Sequence, residues 1–312
     1  MAVFDWNQKI EQIPGAWRDT GGAGVRIAII DSGFDIAHAD LTHLSTHARF
    51  FVARSGYDPQ KESLPTDDPV AEEAGAEHGT SCLSVLAART THPDGTAGMA
   101  PLSEYLLIKA TDEQQSSKNV YFLKALQVAL RHRADVVMVS YVPTEKFNFQ
   151  KTQIQSLFEE MKNQKVALCV ALDNTDIFAE LIHLRYPANQ PLSVNTGVVT
   201  KALLASRPPD AVFDPGIFAL LQPVEVRFCK TGGDYVQEQA SSSIANACFA
   251  GIVALCIAHW KKTEGEGYAP RSKEDLLTAL APVLFPMDNL EMEQPAYRFY
   301  SPAKTTATNP PA

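Results

Sequence analysis

Apolar residues along this chain come in two rhythms. Short continuous runs occupy 25–30, 104–109, 136–140, 166–172 and 192–199. Runs of this length, rich in Val, Ile and Leu, predict strands buried on both faces. Between them the apolar positions shift to helical spacing. Phe122, Leu126, Ala129 and Leu130 form one stripe within 119–133, and Ile154, Leu157, Phe158 and Met161 fall at i, i+3, i+4 and i+7. Residues 242–260 predict a long apolar helix and 272–280 a surface one. Continuous apolar strands alternating with helices predict an α/β fold, a parallel β-sheet with helices on both faces in three layers. No composition break or internal repeat divides the chain, so one domain is expected over residues 1–302, with a flexible tail at 303–312. The polar, acidic stretch 57–77 is expected as an exposed loop.

Composition narrows the function classes. Hydrophobic residues at 45% against 20% charged exclude a disordered chain. Asp and Glu (36) outnumber Lys and Arg (27), a formal charge of −9 with no dense basic run. Such a chain is a poor partner for nucleic acid or an acidic membrane surface. Its longest apolar stretch, 247–258, is shorter than the ~20 residues of a membrane span. The N-terminus has no signal-peptide pattern, so the expectation is a cytoplasmic protein without a membrane partner. Five widely spaced cysteines without CxxC or HExxH spacing are expected as buried free thiols, and no metal or cofactor is expected.

Four residues sit where such a fold collects chemistry, at the carboxyl edge of its strands. Asp31 follows the first strand in Ile29-Ile-Asp31-Ser-Gly33, where Gly33 permits a sharp turn; alone it is equally an ordinary turn acid. His78 precedes Gly79 at the start of a small, apolar helix; alone it is an exposed loop histidine. Ser243 is the third of three serines heading the long apolar helix, where a hydroxyl caps the helix or meets its free amides as a nucleophile. Asn174 follows the 166–172 strand, where its amide forms an Asx turn or donates to a developing oxyanion. The chain order Asp, His, Ser is what carries weight, because it is the order of one of the known serine-hydrolase triads.

From about Gly24 to Leu255 the chain resembles the subtilisin-like serine proteases. Asp31-Ser-Gly33, with His38-Ala-Asp-Leu41 after it, resembles the family's Asp motif, and His78-Gly-Thr80 its His motif. Gly98-Met-Ala-Pro101, Ala171-Leu-Asp-Asn174, Tyr186-Pro-Ala188 and Asp214-Pro-Gly216 are similar to further family segments. Anchoring on Gly251 lays the family's G-T-S-x-A-x-P over residues 241–247 and selects Ser243 as nucleophile. Three departures stand out. Ser241, Ser242 and Ala247 replace the motif's Gly, Thr and Pro; Asp173 and Asp176 flank Asn174 in place of glycines; and Val142 replaces the glycine of the substrate-lining S-x-G.

The resemblance implies a subtilisin-like three-layer fold and a serine endopeptidase working through an acyl-enzyme. Ser243 would attack, His78 act as base and then acid, Asp31 hold the imidazole, and Asn174 share the oxyanion hole. A protein or peptide substrate would pair with Ser140, Tyr141 and Val142. Structural calcium occurs in relatives; the acids of 58–77 offer oxygens but no defined loop spacing. Only about two dozen residues precede the Asp31 strand, which suggests an intracellular or otherwise unconventional subtilase, and the altered cleft suggests processing of a particular precursor. The alternative is a catalytically silent subtilase fold that binds peptides. The retained triad and Asn174 favour the enzyme.

Overall fold

The computed structural model describes residues 13–53, 76–90, 95–111, 118–141, 151–172, 187, 192–200, 217–222, 225–265, 273–280, 285–286 and 300–301. Seven strands form its main sheet: β1 (Arg26–Asp31), β2 (Ala48–Val52), β3 (Glu104–Lys109), β4 (Val136–Val139), β5 (Ala167–Ala171), β6 (Ser193–Thr200) and β7 (Ile217–Gln222). Their order is β2-β3-β1-β4-β5-β6-β7, and every neighbouring pair is parallel. Beside the sheet lies an antiparallel hairpin of β8 (Glu225–Cys229) and β9 (Tyr235–Gln239).

The expected three layers are present. Helices α1 (Ala76–Ala87) and α4 (Ser242–Glu264) pack on one face, α2 (Asn119–Arg131) and α3 (Lys151–Asn163) on the other; α5 (Lys273–Leu280) follows α4 and packs on it. Alternation along the strands explains why both faces are dry. In β1, Ile27 and Ile29 face α1 and α4 while Ala28 and Ile30 face α2 and α3; Val136 and Met138 against Val137 and Val139 repeat this in β4.

The long helix runs four residues beyond the expected end. Its 23 residues meet the length and composition of a membrane span, yet 94% of its apolar window is buried inside the protein. It is hydrophobic almost all round because sheet, α1 and α5 surround it. The five cysteines are free and buried, as expected.

Strands β2 and β7 at the two sheet edges and the β8–β9 hairpin were not expected from the pattern. The hairpin did have a signal: Gly232 and Gly233, both at positive φ, join the alternating Glu225-Val-Arg-Phe228 to the strand-favouring pair Tyr235-Val236. Strand order places β1 at the centre, between β3, which returns beside it, and β4, which starts the run to the other edge. That reversal opens a crevice at the carboxyl ends of β1 and β4.

Candidate active site

Asp31 is the last residue of β1 and is 1% exposed. Its Oδ1 accepts hydrogen bonds from the amide and hydroxyl of Ser32, at 2.7 and 3.2 Å, and from Nδ1 of His78 at 2.8 Å. Gly33 makes the turn after it, with φ at 147°. A carboxylate acceptor at Nδ1 assigns the ring proton there and leaves Nε2 as the lone-pair nitrogen when the ring is neutral.

His78 lies in the first turn of α1, with its side chain 46% exposed. The Asp31 charge raises its pKa above the ordinary 6.5; burial opposes this, and the hydrogen bond to Asp31 adds to it. The next residue explains the close approach of α1 to β1. A Cβ on Gly79 would lie 2.1 Å from the Gly33 carbonyl oxygen.

Ser243 sits at the second position of α4 and is 7% exposed. Ser241 caps the helix, its Oγ accepting the Ile244 amide at 3.3 Å. The amide of Ser243, within the first turn, has no intrahelical carbonyl to reach. The Ser243 hydroxyl donates to the Ser140 carbonyl at 3.4 Å. Among the described residues it makes this bond and not one to His78. His78 and Ser243 nevertheless line one cavity of about 380 Å³.

Ser140, directly after β4, is 6% exposed. Tyr141 turns its ring edge-on to Phe122, and its hydroxyl is buried without a partner among the described residues. Asn174, Val142, the 57–75 stretch and the 303–312 tail lie outside the described residues.

A contribution absent from the sequence reading comes from Asn246, one turn after Ser243 and 0% exposed. Its Nδ2 faces the Val139 carbonyl at 3.0 Å, Ser140 Oγ at 3.3 Å and the Cys169 carbonyl at 3.4 Å. One amide thus ties the end of β4 and the middle of β5 to the helix that carries Ser243. A buried Asn in an apolar helix was its only sequence signal. Asn246→Ala is expected to cost about 1–3 kcal/mol, the penalty for leaving buried acceptors unpaired; urea denaturation measures it.

Among the described residues, two trios of side chains hold ligand-type atoms within 4.8 Å of one another: Asp31, His78 and Cys82, and His38, Asp40 and Cys229. In the second trio His38 Nδ1 accepts the Asp40 amide and Nε2 meets the Asp234 carbonyl, while Asp40 accepts from the Thr96 amide and the Tyr235 hydroxyl. These bonds fasten the loop after β1 to the hairpin, which is a structural role for the His38-to-Leu41 segment. In the first trio burial, and then the Asp31 charge, pushes the Cys82 thiol up, so it stays protonated beside the His–Asp pair.

Fold and site together describe a three-layer α/β protein with its polar crevice on the carboxyl edge of a parallel sheet. The chain belongs to the subtilase family, whose model matches residues 22–281. It is similar to an intracellular serine protease of Paenibacillus polymyxa, at 28% identity over 189 residues, 59% of this chain and 52% of that protein. It is also similar to the subtilisin of Bacillus pumilus, at 24% identity over 238 residues, 76% of this chain and 78% of that one. The match to the first spans about half of that relative's length. Among solved structures, the protease domain of PatA shares the fold with a TM-score of 0.60 at 18% identity, covering 84% of this chain and 88% of that one. The prenylagaramide maturation protease PagA does so with a TM-score of 0.58 at 17% identity, covering 86% and 87%.

Proposed function

We propose that this chain is a serine endopeptidase that hydrolyses peptide bonds of protein or peptide substrates through an acyl-enzyme. The observation that carries the reading is the Asp31–His78 hydrogen bond at 2.8 Å, opening onto the cavity that Ser243 also lines. A rotation about χ1 of Ser243 turns its hydroxyl from Ser140 toward His78 Nε2. Ser243 Oγ then attacks the peptide carbonyl while His78 takes its proton. Asp31 keeps the imidazole in the reactive tautomer and stabilises the imidazolium. The oxyanion is met by the Ser243 amide and, in this reading, the side chain of Asn174. Collapse transfers the proton from His78 to the leaving amine; water then repeats the sequence on the ester and frees Ser243. The acyl half of the substrate pairs with the backbone of residues 140–142, the Tyr141 ring being turned inward. These steps use side chains and backbone amides alone and call for no cofactor.

Relatives named as intracellular proteases support a cytoplasmic place of work. The narrower reading, cleavage of a particular precursor, is motivated by Val142 and the altered Ser motif. Its test is casein against a panel of cellular precursors; efficient digestion of casein defeats it.

Labelling with a fluorophosphonate tests the main reading. The label is expected on the wild-type chain, lost in Ser243→Ala and kept in Ser241→Ala and Ser242→Ala. Folded wild-type protein that takes no label points instead to the silent peptide-binding subtilase. The pH profile follows from His78. The base must be neutral, so kcat/KM is expected to rise with pH through an apparent pKa above 6.5. The sign for stability is opposite: the pair's contribution is complete below pH 6.5 and is lost as pH climbs through the raised value. Rate profiles and thermal melts over the same pH range check both.

A further inference from the structure

The cavity beside His78 and Ser243 lies on one side of the reacting pair. Its lining comes from the start of α1, the hairpin and the head of α4, and does not include Ser140 or Tyr141 after β4. In the protease reading, on which this inference rests, the acyl half of the peptide runs along that β4 end. The cavity therefore receives the other half, the part that departs with the amine His78 protonates.

Its walls differ from floor to rim. Phe228, Val236 and Ile244 are apolar, and Phe228 and Ile244 are 7% and 4% exposed. The rim carries Glu77, Lys230 and Glu238. Glu77 and Lys230 face each other at 3.5 Å, and Glu77 also takes the Thr231 hydroxyl at 3.5 Å. That pair is neutral as a unit, so the exposed Glu238 of β9 leaves the rim with one net negative charge. An apolar floor under an anionic rim suits a side chain with an aliphatic stem and a cationic head. An acidic occupant would meet Glu238 and have to break the Glu77–Lys230 pair; a plain aliphatic one would fill the floor and gain nothing at the rim.

We propose that this cavity takes the side chain of the first residue after the scissile bond and selects lysine or arginine there, with Glu238 as the selecting residue. The contact is solvent-exposed, so its effect is modest. An exposed ion pair at 0.2–1 kcal/mol corresponds to at most about fivefold, and attraction of Lys together with repulsion of Glu compounds to about 10-fold at low salt.

The test uses quenched fluorescent peptides that differ only at that position, carrying Lys, Leu or Glu. The ratio of kcat/KM for Lys over Glu, taken within each protein, cancels any difference in active fraction. It is expected near 10 for the wild type at low salt, close to 1 for Glu238→Gln, below 1 for Glu238→Lys, and reduced for the wild type in ~1 M salt, where the Debye length is about 3 Å. Lys230→Gln, which releases Glu77, is expected to raise it. A wild-type ratio near 1 or inverted, with Ser243 still labelled by the fluorophosphonate, overturns the inference and leaves the protease reading standing. So does a ratio that survives Glu238→Lys. A wild-type chain that takes no label and cleaves none of the peptides overturns both.

Discussion

Ser243→Ala is expected to lower kcat for peptide hydrolysis by about 10⁶-fold, the size of loss that removing the nucleophile causes in subtilisin, and His78→Ala by nearly as much. The double variant is expected to be no worse than either single one. The serine hydroxyl without its base and the base without its hydroxyl are equally idle, so the effects do not add. Rates measured per mole of folded protein decide this. The melting temperature is expected to stay within a few degrees for Ser243→Ala. The hydroxyl makes a single bond, to Ser140 at 3.4 Å, and Ser241, not Ser243, caps the helix. A Ser243→Ala variant that keeps wild-type turnover would remove Ser243 from the chemistry. Ser241→Ala should behave in the opposite way, losing about 1 kcal/mol of stability with its cap while retaining labelling at Ser243.

The second large effect is expected from a single methyl group. In Gly79→Ala the new Cβ would stand 2.1 Å from the Gly33 carbonyl oxygen and 3.2 Å from Asp31 Cβ. Neither neighbour is the free end of a flexible side chain. Gly33 is held in a turn that side chains rarely adopt, and Asp31 ends a central strand. Relief requires α1 to move away from β1, which stretches the Asp31–His78 bond. A stability loss of about 3 kcal/mol or more is expected from this overpacking. The remaining folded enzyme should turn over about 10²-fold more slowly, as displacements near 1 Å do elsewhere. Urea denaturation gives the first quantity, and kcat per fluorophosphonate-titrated site gives the second. Gly15→Ala is the control: its Cβ would meet only Arg18 Nη2, at 3.9 Å, within a helical turn, so it should be neutral or slightly stabilising.

The strand that carries Asp31, the helix that carries Ser243 and the glycines beside Asp31 and His78 were all legible in the sequence. Each depends on a local pattern. A continuous apolar run can be satisfied only by a doubly covered strand, a long apolar stretch only by a surrounded helix, and a close backbone approach only by glycine. The edge strands β2 and β7 were missed although Phe50-Phe-Val52 and Ile217-Phe-Ala-Leu-Leu221 are apolar runs, because a run this short does not by itself distinguish strand from helix. The hairpin was missed although Gly232-Gly233 marked it.

What the residue order determined is therefore the set of chemically apt side chains and the type of element under each. What folding alone decided is which of them meet. The 2.8 Å contact of Asp31 with His78 joins residues 47 apart, Asn246 reaches carbonyls 107 and 77 positions away, and the cavity brings Glu77 to Lys230 and Glu238 through the pairing of β8 with β9. Such meetings follow from strand order and from how closely α1 and α4 settle on the sheet. These are properties of packed layers, and no window of neighbouring residues contains them.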